Sequence, residues 1–213
     1  MPHSTLVKIC GTTTLADALL ARDAVADYLG AIVEYPPSPR HISVEDAREI
    51  FRLELPVVAV TVNQTLDTLL RIARELQPAA LQLHGDESPE LVRALKAEGL
   101  TVWAACSGEP EAVRKRALVM TAAGADAVLL DARAVSNGEI IYGGTGHRAD
   151  WNLARELVEE GLRVILAGGL NPESVADAID FVRPWMVDVA SGVEARKGVK
   201  DAAKVTQFIK NVR

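Results

Sequence analysis

The sequence predicts an α/β fold, and within it a single-domain (β/α)8 barrel, on three observations. Short apolar runs rich in Val, Ile, Leu or Ala alternate with longer amphipathic runs, the pattern of repeated β/α units over a parallel sheet. Eight such units can be counted along the chain. They fit into 213 residues of which 49% are hydrophobic, enough for one substantial core and short for two. Eight alternations could also build an open doubly wound sheet, but this count in so compact a length suits a closed ring. One domain spanning residues 1–213 is expected, without linker or low-complexity segment.

The first unit pairs a strand at 5–10 with a helix over Leu15–Ala26, whose start is marked by Thr14 and, three residues on, Asp17. That spacing is a capping box with a shorter carboxylate than usual. Ser43 and Asp46 repeat it in the second unit, between a strand at 28–34 and a helix over Ser43–Leu53. The third unit reads as 56–62 and Leu66–Leu76. In the fourth, 79–83 is followed by Ser88-Pro89-Glu90, a side-chain acceptor at the N-cap and proline at the first position of a helix over Pro89–Glu98. The fifth is 100–106 with Glu111–Ala123. After the sixth strand, 125–131, the stretch Ala132–Arg148 contains Gly138, Gly143, Gly144 and Gly146 and reads as a mobile loop over the strand ends, before a helix at Trp151–Glu160. The seventh pairs 162–167 with Pro172–Phe181, begun by Asn171-Pro172-Glu173, and the eighth pairs 185–190 with Asp201–Val212.

Composition narrows the function classes. A net charge of −6 argues against broad polyanion binding, so no nucleic-acid partner is expected. Two cysteines, without CxxC or metal-spaced His/Cys clusters, suit a reducing cytoplasm and no structural zinc. No apolar run approaches the roughly 18 residues of a membrane span, and the first five residues do not start a secretory signal. The expected location is the cytoplasm, with no membrane partner.

Catalysis in such barrels sits at the C-terminal ends of the strands. Cys10 closes Leu6-Val7-Lys8-Ile9-Cys10 and is followed by Gly11, while Asp131 closes Ala127-Val128-Leu129-Leu130-Asp131. A thiol and a carboxylate at one rim can act as base and acid. Read locally, Cys10 is more often a small buried hydrophobe, and Asp131 more often an ordinary strand-end or cap residue. A free thiol titrates near about 8.5, so a base at Cys10 benefits from nearby positive charge. Lys8, two residues earlier on the same strand face, would point into the barrel one layer below. Cys106, Trp103, Trp151 and Trp185 read as packing residues.

Taken in order, Val7-Lys8-Ile9-Cys10-Gly11, Ser38-Pro39-Arg40, Leu81-Gln82-Leu83-His84-Gly85, Leu129-Leu130-Asp131, Gly143-Gly144-Thr145-Gly146, Ala167-Gly168-Gly169-Leu170-Asn171 and Asp188-Val189-Ala190-Ser191-Gly192-Val193-Glu194 resemble the phosphoribosylanthranilate isomerase family of tryptophan biosynthesis. The resemblance runs from the first strand to the last helix. It implies a (β/α)8 barrel that performs a cofactor-free Amadori rearrangement of N-(5-phosphoribosyl)anthranilate to 1-(2-carboxyphenylamino)-1-deoxyribulose 5-phosphate. It implies Cys10 as general base and Asp131 as general acid. Arg40 would receive the anthranilate carboxylate on its guanidinium fork, with His84 and Asp188 binding substrate or organising the rim. Gly168-Gly169 and Ser191-Gly192, after strands seven and eight, would hold phosphate through backbone N–H groups. The partner is a small phosphosugar-anthranilate, and the protein a monomer or homodimer.

The family often carries Gly-Phe and a further aromatic on strand two, where this chain has Gly30-Ala31-Ile32-Val33-Glu34-Tyr35, and Phe-Asp-Trp where it has Ala149-Asp150-Trp151. The aromatic wall is therefore expected to differ, with His147-Arg148 as neighbours. Two alternatives remain. A histidine-pathway aminoaldose isomerase, or one serving both pathways, would need a second glycine-rich phosphate site, and neither Val62-Asn63-Gln64-Thr65 nor His84-Gly85-Asp86-Glu87 supplies one. A barrel without turnover, serving only for binding, is the other.

Overall fold

A computed structural model describes residues 5–131, 134–136, 139–141 and 149–213. Eight parallel strands, β1 (Leu6–Cys10), β2 (Tyr28–Val33), β3 (Val57–Thr61), β4 (Ala80–Leu83), β5 (Val102–Cys106), β6 (Ala127–Leu130), β7 (Val164–Leu166) and β8 (Met186–Val189), hydrogen-bond in the order β1-β8-β7-β6-β5-β4-β3-β2. Pairing of β1 with β2 closes the ring, with Cys10 opposite Gly30. The expected (β/α)8 barrel is the observed one, each expected strand lying within two residues of its position at either end.

Helices α1 (Leu15–Asp23), α2 (Val44–Phe51), α3 (Leu66–Leu76), α4 (Pro89–Ala97), α5 (Pro110–Ala122), α6 (Trp151–Glu159), α7 (Val175–Val182) and α8 (Ala202–Val212) return the chain between strands. Local chemistry starts most of them. Thr14, Ser43 and Ser88 each accept from the backbone N–H three residues on, satisfying a helix-end donor that has no intrahelical partner. Asp201 caps α8 through the N–H groups of Ala203 and Lys204. The start of the seventh helix differs from expectation. Asn171 Oδ1 accepts from Ser174 N while Ser174 Oγ accepts from Asn171 N, so these residues close a turn around Pro172 and the helix proper begins at Val175. Strand two also stops one residue early, because Glu34 turns into the left-handed region, φ 56°, where its side chain accepts from Val44 N.

Three short ladders were not foreseen. His41–Ile42 adds in parallel to the end of β2, Ala134–Ser136 pairs antiparallel with Glu139–Ile141, and Glu194–Arg196 pairs with Val199–Lys200. The middle one falls inside the stretch read from sequence as a loop. Gly138, Gly143, Gly144, Gly146, His147 and Arg148 lie outside the described residues, as does the expectation of loop mobility built on them.

Strand alternation divides the core in two. Val7, Ile9, Leu29, Ala59, Leu81, Leu83, Val128, Leu130, Val187 and Val189 face the helices. Residues of the opposite parity fill the barrel: Val58, Val60, Trp103, Ala105, Leu129, Ile165 and Met186, with Cys10 among them. Trp103 meets Tyr28 and Trp185 edge to face, at centroid distances of 5.4 and 5.7 Å, which makes Trp103 and Trp185 packing residues as expected. Trp151 is half-buried against Phe181 outside the barrel. Cys106 faces the helices, wholly buried, and burial pushes its thiol up to about 12, an inert packing group. No helix among the described residues is long and apolar enough to cross a membrane.

Candidate active site

Cys10 ends β1 with 6% of its surface exposed, and Lys8, one layer deeper on the same face, is wholly buried. The Lys8 ammonium donates to Gln82 Oε1 at 2.7 Å and to Asp188 Oδ1 at 2.9 Å, across β4 and β8. Burial alone would lower the Lys8 pKa, but the charge of Asp188 and the proximity of Cys10 outweigh it, and the lysine is held above its usual range as a permanent cation. The thiol responds to the same neighbours. Burial, then the Asp188 charge, push Cys10 up, while Lys8 and Lys200 pull it down, and the net direction is upward. Cys10 is thereby held toward the thiol form, with the Lys8 cation one layer below.

Asp131 follows β6, three strands along the rim from β1. Its Oδ2 lies 3.3 Å from His84 Nε2, and His84 Nδ1 lies 2.8 Å from Gln82 Nε2. Cys10, Lys8, Asp188, Gln82, His84 and Asp131 thus occupy one contiguous polar region at the barrel mouth. The sequence reading brought five of them to the site. Gln82, buried in β4, was quoted only within a motif, and nothing local distinguishes it from any inward-facing strand residue.

Arg40 approaches from the second strand–helix loop and is also buried. Its Nε and Nη2 donate to Glu194 Oε1 and Oε2 at 2.7 and 2.8 Å, a two-point pair. One edge of the guanidinium is thereby committed to the protein, leaving the Nη1 side as the edge on which a ligand carboxylate can sit. Gly11 makes room for this arginine: it adopts φ +71°, and a Cβ there would lie 2.6 Å from Arg40 Cδ. Burial alone would raise Glu194, yet the bonds from Arg40 and Lys200 bring it below the usual carboxylate range.

Lys200, wholly buried in side chain, comes from the short ladder after β8 and escaped sequence reasoning. Its ammonium donates to Cys10 O at 2.6 Å, Ala190 O at 3.2 Å and Glu194 Oε1 at 3.3 Å, which ties the ends of β1 and β8 together. Burial lowers its pKa below the lysine range despite Glu194.

Gly168 and Gly169 follow β7 with φ of +74° and +67°, and Ser191–Val193 forms a single 3₁₀ turn after β8. The two loops touch: a Cβ on Gly192 would meet Leu170 O at 1.9 Å. On the other side of the mouth, buried Glu87 accepts from Asn63 N and Gly85 N, both at 2.8 Å. Those amides are already occupied by a carboxylate, so the loops after β3 and β4 offer an anion less than the loops after β7 and β8.

The family model for N-(5'-phosphoribosyl)anthranilate (PRA) isomerase matches residues 7–211. An N-(5'-phosphoribosyl)anthranilate isomerase of Trichlorobacter lovleyi is 42% identical, over 97% of each chain. Among solved structures, the chain is similar to monomers generated from the dimeric phosphoribosylanthranilate isomerase of Thermotoga maritima, at 42% identity, TM-score 0.84 and 98% of each chain. It is also similar to a phosphoribosyl anthranilate isomerase in complex with reduced 1-(o-carboxyphenylamino)-1-deoxyribulose 5-phosphate, at 40% identity, TM-score 0.83 and the same coverage.

Proposed function

The chain belongs to the N-(5'-phosphoribosyl)anthranilate isomerase family, and from that premise we propose that Cys10 is the base and Asp131 the acid of its isomerisation in tryptophan biosynthesis. The observation that carries these roles is the pairing of environments: the thiol ends β1 above a buried cation, and the carboxyl ends β6 beside an imidazole. Asp131 delivers a proton to the ribose ring oxygen. The C1–O bond breaks, and the anthranilate nitrogen lone pair forms the C1=N iminium. The iminium acidifies the C2 proton, which the Cys10 thiolate removes to give an enolamine. Tautomerisation, with a proton added at C1 and lost from the C2 hydroxyl, yields the aminoketone. Lys8 favours the thiolate in this sequence, and its tie to Asp188 keeps it in place.

Substrate is held at its two charged ends. The anthranilate carboxylate takes the outer edge of Arg40, and the phosphate takes the amides of Gly168, Gly169, Ser191 and Gly192. Asp188 serves by holding Lys8, with the substrate hydroxyls above it. The protein works in the cytoplasm as a monomer or homodimer.

Steady-state conversion of freshly generated N-(5-phosphoribosyl)anthranilate, followed by loss of anthranilate-type fluorescence, tests the reading. The histidine-pathway substrate is run in parallel. Turnover of the first substrate alone is expected, because Glu87 fills the loops that a second phosphate would need. Turnover of neither by folded protein would leave a binding barrel.

Two further outcomes follow from the site. Arg40→Ala is expected to raise KM about tenfold or more with a smaller change in kcat, since a ground-state carboxylate contact is lost. Unchanged kinetics would reject the contact. The variant also separates Arg40 from buried Glu194, and a loss toward the low end of the roughly 3–5 kcal/mol typical of broken buried pairs is expected in denaturant unfolding, because Lys200 still faces the carboxylate. The pH dependence has a definite sign. With its pKa raised, free Cys10 is protonated at neutral pH, so with an open-chain imine analogue, which needs no acid for ring opening, kcat/KM climbs with pH from neutrality as thiolate forms. A kcat/KM that falls steadily over the same range, with chemistry rate-limiting, would remove the thiolate as base.

A further inference from the structure

We propose that Gln82 is a positioning residue for the acid: its amide, oriented by Lys8, locks His84 as the neutral tautomer with the proton on Nε2, so that Asp188, Lys8, Gln82, His84 and Asp131 form one hydrogen-bonded chain from the lysine beneath the base to the acid. The inference rests on Asp131 being the acid.

Donor and acceptor chemistry fixes each link. An ammonium only donates, so the Gln82 atom 2.7 Å from Lys8 Nζ must be the amide oxygen. The amide NH₂ then points at His84 Nδ1, 2.8 Å away. That group also only donates, so Nδ1 must be an unprotonated acceptor. An imidazole with a bare Nδ1 carries its proton on Nε2, and Nε2 faces Asp131 Oδ2 at 3.3 Å as a donor. An imidazolium would set Nδ1–H against NH₂, donor against donor. Gln82 is wholly buried, so on its side of the contact no solvent relieves a mismatch, and the wrong protonation state of His84 leaves the buried Gln82 amide N–H unsatisfied.

Strand geometry puts the chain where it can serve both reacting groups. Residues 8 and 10 share a face of β1, and 82 and 84 share the inward direction along β4 and its extension. Lys8 therefore lies under Cys10 at one end, while Gln82 leads up to His84 and the rim at the other. A neutral Nε2–H orients the Asp131 carboxyl without setting a full positive charge beside a group that must regain a proton between turnovers.

The test is ¹⁵N NMR of the imidazoles in the full-length protein, with His84 assigned among the chain's 4 histidines by the signal lost in His84→Gln. Wild-type His84 is expected to be a single Nε2–H tautomer at neutral pH. Gln82→Glu keeps the volume but replaces the NH₂ donor with an acceptor, so Nδ1 is expected to gain a proton, with kcat falling roughly tenfold or more and KM moving much less. Gln82→Met, which removes both bonds, is expected to release a tautomer mixture, and it carries the test if Gln82→Glu does not fold. In an Asp131→Asn background, Gln82→Met should cost little further in kcat, because residues acting through one another are not additive. A wild-type His84 with Nδ1–H, or a tautomer and kcat unmoved in a folded Gln82 variant, would overturn the proposal. If the tautomer shifts as expected but Asp131→Asn keeps full activity, the acid assignment fails and the positioning role with it, while the tautomer lock survives as structure.

Discussion

Replacing Cys10 by alanine is expected to lower kcat by about a hundredfold or more, equivalent to about 2.7 kcal/mol of transition-state stabilisation, with KM changing little. The expectation follows from what the thiol does and does not hold together. Lys8 is anchored by Asp188 and Gln82, and the hydrogen bond from Lys200 to Cys10 goes to the backbone carbonyl. Removing Sγ therefore leaves the surrounding charges in place and deletes the group proposed to take the C2 proton. Cys10→Ser should not rescue, because a hydroxyl ionises far less readily than a thiol at the same pH. Steady-state kinetics with matched circular dichroism checks the outcome. Parity with wild type would point to another base, or to a barrel that binds without turning over.

Asp131→Asn should cost a similar factor for a different reason. Asparagine preserves the shape and can still accept from His84 Nε2, so the rim keeps its geometry. It has no proton to give to the ring oxygen, and ring opening becomes the slow step. The two variants are then distinguishable. With a synthetic open-chain analogue already in the imine state, Asp131→Asn should recover much of its lost rate, whereas Cys10→Ala should not. Retained activity of Asp131→Asn on the natural substrate would remove Asp131 as the acid.

Much of the fold was legible because it is written in local terms. Val57–Thr61 and Val102–Cys106 announce buried parallel strands by composition alone, and Thr14, Ser43 and Ser88 mark helix starts through bonds that span three residues. The same strand periodicity placed Lys8 beneath Cys10 before any tertiary contact was known. Pro172 misled because Asn171 and Ser174 satisfy each other in a turn that looks, in sequence, like a cap. The short ladder of Ala134–Ser136 with Glu139–Ile141 had too few residues for periodicity to register.

The sequence by itself determined the eight-unit barrel, the rim positions of Cys10 and Asp131, and through family resemblance their roles as expectations. Only the tertiary structure decided what surrounds them. Lys8 meets Gln82 across 74 residues and Asp188 across 180, Arg40 meets Glu194 across 154, and Lys200 meets the Cys10 carbonyl across 190. No window of sequence contains such pairs. They exist because closing β1 against β2 and β8 brings remote inward-facing residues into one dry space, where every buried charge has to find a partner.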